Sequence, residues 1–100
     1  MNIQRSCLRF YMENGDRHYV YILECSDGSY YTGYTNNLEK RIERHQAGKG
    51  AKYTRGRTPV QLLYSKEYEL KTDAMQEEYR IKQLSREQKE QIIKEREGYF

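Results

Sequence analysis

The segment from residue 18 to residue 35 constrains this fold most tightly. Two runs rich in Tyr, Val, Ile and Thr, at 18–25 and 29–35, flank Ser26-Asp27-Gly28. This is the pattern of a β-hairpin. The length of its loop sets which side chains share a face. A two-residue turn at Asp27-Gly28 would place Tyr21 opposite Tyr34 and send Tyr31 to the other face, because side chains alternate along a strand. A three-residue loop, with Gly28 in the left-handed conformation of a G1 bulge, places Tyr21 opposite Gly33 and Leu23 opposite Tyr31. Both tyrosines then share one face. The bulged loop is the expected form, with Gly33 leaving space beside Tyr21 for a ligand.

The chain after the hairpin supplies groups that suit the same face. Residues 36–48 read as a helix, with Asn36 as N-cap, Glu39 completing a capping box and Gly48 as the stop. Leu38 and Ile42 mark its buried side, and Arg41 and His45 border that stripe four residues apart. A glycine-spaced basic segment follows, carrying Lys49, Lys52, Tyr53, Arg55 and Arg57. Such a segment can track a phosphate backbone, with Tyr53 either stacking on a base or pinning its own loop. Between Asn36 and Lys66 eight Lys and Arg stand against Glu39 and Glu43, whereas the whole chain carries only +3. Basic charge is therefore concentrated in the middle third, as expected for a polyanion footprint.

Pro59 opens a third extended run, residues 60–68. Thr72 is expected to cap a helix over 73–84, and Ser85 with Gln88 forms a capping box for a last helix ending near Glu95. On the first of these helices Ala74, Ile81 and Leu84 define the apolar face. Glu77 and Glu78 flank it, and periodicity does not choose between them. The order β-β-α-β-α-α implies an α+β fold, a three-stranded antiparallel sheet flanked by helices. Residues 1–17 read as a flexible extension around Asn14-Gly15-Asp16, residues 18–96 as one domain and residues 97–100 as a tail. One hundred residues suit a single domain with a thin core. With 36% hydrophobic residues, that core must also use tyrosine bodies.

Cys7 and Cys25 are too few for a disulfide framework and lack metal-ligand spacing. The sequence has neither an apolar run that could span a bilayer nor a signal-peptide pattern. A reducing cytoplasmic setting, with no membrane partner, is the expectation.

Taken in order, these motifs resemble the GIY-YIG nuclease superfamily across about residues 18–93, and most closely its small stand-alone bacterial members. Tyr19-Val20-Tyr21 matches the first half of the motif and Tyr31-Thr32-Gly33 the second. Arg41 and His45 match the Arg and His of the helix that follows. The run Ala74-Met75-Gln76-Glu77-Glu78-Tyr79-Arg80 resembles the helix bearing the metal-binding Glu, in a register that points to Glu78. The chain departs from the motif at Tyr19, where the motif has Gly, and at Thr32, where it has Ile. The reacting tyrosines and Gly33 are intact.

The resemblance implies phosphodiester hydrolysis with one divalent ion, Mg²⁺ or Mn²⁺, on Glu78. Arg41 would hold non-bridging phosphate oxygens, a task its planar fork suits better than Lys. Tyr21 would act as general base, with Tyr31 orienting water or phosphate. Alternatively, His45 would take the proton itself or relay it from Tyr21, so the base is left open. The expected activity is a DNA endonuclease for structured or damaged DNA, in repair or recombination. Sequence-specific cleavage would need a protein partner to choose the target. The alternative is a binding module of the same fold, for DNA or RNA, with little or no cleavage. A third reading, a protein-binding adaptor, rests on the eleven tyrosines alone.

Overall fold

The computed structural model describes residues 17–97. Cys7, and the expectations for the extension before Arg17 and the tail after Glu97, lie outside the described residues. Strands β1 (His18–Glu24), β2 (Tyr30–Thr35) and β3 (Gln61–Tyr68) form one antiparallel sheet in the order β2-β1-β3. Helix α1 (Leu38–Gln46) and a 3₁₀ turn (Lys52–Thr54) lie between β2 and β3, and α2 (Lys71–Lys82) and α3 (Arg86–Glu97) follow. No helix among the described residues is long and apolar enough to cross a membrane.

Central strand β1 is covered on both faces, and Val20, Tyr21, Ile22 and Leu23 are all buried. Alternation divides them between two cores. Val20 and Ile22 pack with Tyr64, Ala74, Ile81 and Ile93 under α2 and α3. Tyr21 and Leu23 pack with Cys25 and Val60, flanked by Tyr31, Leu38 and Ile42, under α1. Burying a large aliphatic side chain contributes roughly 1.5–3 kcal/mol, so so small a molecule depends on both layers.

The hairpin has its bulged loop. Gly28 has φ +83, and Tyr21 faces Gly33 while Leu23 faces Tyr31. A carboxylate contact secures the turn, with Ser29 N–H and Oγ both donating to Asp27 Oδ1 at 3.0 and 2.6 Å. A second irregularity, between β1 and β3, falls at Ile22/Leu23.

Two helix starts differ from expectation. The N-cap of α1 is Asn37, whose Oδ1 accepts from Lys40 N–H at 3.2 Å, so Asn36 and Glu39 form no capping box. Thr35 Oγ1 takes the Asn37 N–H at 3.1 Å and thereby holds the chain one residue longer before it turns. Helix α2 begins at Lys71 after Leu70, ahead of Thr72, with no side-chain cap. The predicted box at α3 is present in full, Ser85 N–H to Gln88 Oε1 at 2.9 Å and Gln88 N–H to Ser85 Oγ at 3.2 Å. At the end of α1, Gln46 bonds both backbone groups of Val60 at 2.6 and 3.0 Å, tying that helix to the start of β3.

Candidate active site

Gly33 determines where Tyr21 can go. A Cβ at Gly33 would lie 2.5 Å from Tyr21 Oη and 2.6 Å from its Cζ. The phenol of the central strand therefore extends over β2, toward the edge of the sheet. The expected ligand space beside Gly33 is filled by Tyr21 itself, because a ring on β1 can reach over β2 only where β2 has no side chain. Tyr31 lies beside it on the same face, with ring centroids 6.3 Å apart.

His45, near the end of α1, is fully buried and completes a hydrogen-bonded chain. Its Nε2 lies 2.9 Å from Tyr21 Oη, and its Nδ1 lies 2.8 Å from Thr54 Oγ1. Thr54 Oγ1 in turn donates to the Ala51 carbonyl at 3.0 Å. A hydroxyl has one proton to give. With that proton on Ala51 O, Thr54 must accept from His45, which places the imidazole hydrogen on Nδ1. Nε2 is then an acceptor, and Tyr21 must be the donor. The direction runs Tyr21 O–H to His45 and His45 N–H to Thr54.

Electrostatics keep this bond neutral. Burial pushes the His45 pKa down to about 4, with the nearby Arg41 charge acting in the same direction. Burial pushes the Tyr21 phenol up to about 12, against the pull of Arg41, with Tyr31 and Glu78 adding smaller upward contributions. Half-buried Arg41 sits against the Tyr21 hydroxyl and near Tyr31, and the Tyr21 contact foremost holds its guanidinium above the ordinary arginine value. At neutral pH the resting site therefore holds a phenol, an uncharged imidazole and a guanidinium.

Glu78 comes from the opposite layer on α2. Its side chain is only 15% exposed, and its carboxylate pairs with Lys82 Nζ at 3.0 Å. Its charge acts on both Tyr21 and Tyr34, which places it at the β2 side of the sheet. Glu77, its neighbour, is committed to Arg80, with contacts of 3.0 and 2.5 Å. Both carboxylates are ion-paired, and what separates them is the side they face: Glu78 acts on Tyr21 and Tyr34, whereas Glu77 acts on Tyr68 and lies near Lys66 on β3. Among the described residues no group of three or more His, Cys, Asp or Glu could hold a metal ion. A single carboxylate such as that of Glu78 is a donor of the kind a hard cation accepts together with water and phosphate oxygens.

The basic segment divides in two. Lys49, Lys52 and Arg55 are exposed. Tyr53 stacks on Tyr31, with centroids 6.1 Å apart and planes 19° apart, and Arg57 lies 4.2 Å from the Tyr53 ring centroid. Arg57 also pairs with Asp27 at 3.0 Å and donates to the Tyr53 carbonyl at 2.5 Å. Arg57 thus links the hairpin turn to the loop and Tyr53 stacks on Tyr31, while both side chains keep exposed surface that a nucleic acid can reach. Thr54 and Gly50 were not anticipated. A Cβ at Gly50 would collide with the His45 ring, so this glycine provides close approach and not flexibility.

The comparisons with known proteins bear on the family and the fold. Residues 17–91 match the family model described as the GIY-YIG catalytic domain. A UPF0213 protein of Halobacterium salinarum is 60% identical over 76 residues, covering 76% of this chain and 99% of the relative. One from Oceanobacillus iheyensis is 63% identical over 78 residues, covering 78% and 91%. The solution structure of a UPF0213 protein from Bacillus halodurans is 55% identical with a TM-score of 0.53, covering 78% of this chain and 83% of that one. A solution structure of an E. faecalis protein is 44% identical with a TM-score of 0.56, at the same coverages.

Proposed function

The chain belongs to the GIY-YIG family, whose name is that of a nuclease superfamily, and from this membership and the site geometry we propose that it hydrolyses phosphodiester bonds in structured or damaged DNA. The observation that carries the reading is the directed chain from Tyr21 to His45 to Thr54, with Arg41 against the same phenol. A purely structural tyrosine would need one hydrogen-bond partner. Here the partner is an empty basic nitrogen whose other side is fixed.

Burial raises the Tyr21 phenol to about 12 and lowers His45 to about 4, which favours a phenol beside a neutral imidazole in the resting site. Tyr21 therefore acts as base only while passing its own proton on. Its oxygen accepts a proton from the attacking water as its O–H proton moves to His45 Nε2. The hydroxide oxygen bonds to phosphorus, the bond to the leaving oxygen breaks, and that oxygen takes a proton from solvent. His45 ends as an imidazolium whose Nδ1–H remains on Thr54. On this reading the Tyr21–His45 pair acts together as the general base, as a relay. Arg41 neutralises the non-bridging oxygens, and Tyr31 orients water or phosphate on the shared face.

Glu78 would hold one Mg²⁺ or Mn²⁺, which when bound supplies neutralising charge at the phosphate and the leaving oxygen. In its absence Lys82 keeps the carboxylate paired. Lys49, Lys52 and Arg55 supply salt-dependent affinity. A repair or recombination role, with a protein partner choosing the target, fits a site whose recognition groups are mainly cations.

The test uses end-labelled duplex, nicked, flap, fork and four-way DNA with Mg²⁺ or Mn²⁺, with Glu78→Ala and Arg41→Ala as controls. Cleavage by wild type that disappears in both variants, with DNA binding retained, supports the enzyme. Equal trace cleavage by wild type and Glu78→Ala points to contamination and to a binding module.

A further inference from the structure

Helix α2 carries a second feature that the reaction does not use. Successive residues turn by about 100° on a helix. On one side of Glu78 lie buried Ala74 and Ile81. On the other side, moving outward, come Lys71, Lys82, Met75 and Tyr79 in that order. No second carboxylate enters this arc, and the Lys82 contact with Glu78 confirms its direction. Tyr79 is 69% exposed and Met75 42% exposed, so two large apolar side chains stand in water one helical turn apart. Packing does not require either of them, and most large apolar side chains of this domain are covered.

We propose that this strip is a subsite for an unpaired nucleotide next to the scissile phosphate, with Tyr79 stacking on its base. The inference rests on the nuclease reading above and specifies its substrate. Three observations select this occupant. The strip begins at Glu78, whose charge reaches the Tyr21 phenol and Tyr34. Lys71 and Lys82 lie between Glu78 and its apolar groups, which suits a backbone carrying both phosphates and bases. The aromatic ring also stands on the convex surface of a helix. A base inside a duplex has both faces covered by its neighbours, so such a ring stacks only on a base freed by a flap, fork or gap. The strip and the basic segment come from opposite layers of the fold. The Glu78 strip would receive the unpaired strand and the Lys49, Lys52 and Arg55 side the paired one.

The experiment uses the full chain in Mg²⁺-free buffer with a flap DNA carrying 2-aminopurine at the unpaired position beside the junction, and a blunt duplex of the same length. Tyr79 is exposed, so its variants should fold, and circular dichroism checks this. Wild type and Tyr79→Phe should quench the 2-aminopurine and bind the flap within about threefold of each other. Tyr79→Ala should lose the quenching and bind the flap about tenfold more weakly, with duplex affinity unchanged, since base–aromatic stacking is worth about tenfold or more. Equal flap binding and quenching by wild type and Tyr79→Ala, with cleavage intact, overturns the subsite and leaves the nuclease standing. Parallel losses on flap and duplex overturn it as well. Failure of the wild type to bind any of the DNAs overturns both readings.

Discussion

Burying His45 as a neutral imidazole makes this domain acid-sensitive in a predictable window. Its pKa falls from the ordinary imidazole value of 6.5 to about 4 on folding, through burial first and the Arg41 charge second. The unfolded chain binds the proton first, so the contribution of neutral His45 is complete above about pH 6.5. It declines as pH falls and is exhausted near pH 4, where the folded form also protonates. A shift of this size is worth about 3 kcal/mol, at 1.36 kcal/mol per unit. That is a large share of the roughly 5–15 kcal/mol typical of a small domain. The exposed carboxylate of Asp27, held down to about 2 chiefly by hydrogen bonds from Ser29, titrates below this window. Urea unfolding of wild type and His45→Gln at pH 7.5, 6.5, 5.5 and 4.5 reads the slope directly. Wild type should lose about 2.5 kcal/mol more than the variant across this range. If the variant does not fold, an NMR titration of the wild-type His45 ring gives the pKa itself. Parallel slopes, or a ring pKa near 6.5, would refute the buried neutral imidazole.

Other consequences concern single side chains. Gly33→Ala should displace the Tyr21 phenol, costing about 1–3 kcal/mol in urea unfolding and abolishing measurable DNA cleavage, because its Cβ would fall 2.5 Å from Oη. A variant with wild-type activity would mean that Tyr21 need not lie over β2. Thr32 Oγ1 is buried with no hydrogen-bond partner among the described residues, so isosteric Thr32→Val should raise stability by about 1 kcal/mol. Replacing Lys49, Lys52 or Arg55 singly by Ala should reduce the slope of log affinity against log salt by about one, measured by fluorescence anisotropy. An unchanged slope for all of them would remove this segment from the DNA footprint.

The hairpin was legible because one residue more or less in its loop inverts every side-chain direction, and only the bulged form puts Tyr21 and Tyr31 together. The box at Ser85 and Gln88 was legible because both partners are local. Helix starts were harder to read where several residues could cap. Asn36 and Asn37 are chemically identical, and a hydroxyl at Thr35 decides between them. Thr72 yields to Leu70 because packing of Ala74 and Ile81 fixes α2, not capping. The hidden half of the site lay in the glycine-spaced segment. Its composition reads as mobile and basic, yet Thr54, Gly50, Tyr53 and Arg57 are held by partners distant in sequence. Nothing local marks Thr54 as the acceptor for a histidine nine residues earlier. Glu78 was reachable through the family resemblance, whereas its separation from Glu77 required seeing which strand each carboxylate faces.

The relay through Tyr21 is the centre of this account, and the single-turnover cleavage rate of Tyr21→Phe tests it most directly. The phenyl ring keeps the packing over Gly33 and removes only the hydroxyl between water and His45. On a flap substrate with saturating Mg²⁺, the variant should cleave about 10²- to 10⁴-fold more slowly than wild type, the usual contribution of a positioned general base. Its DNA affinity should stay within about threefold. Cleavage by Tyr21→Phe within a few-fold of the wild-type rate would contradict the relay and return the proton to some other group.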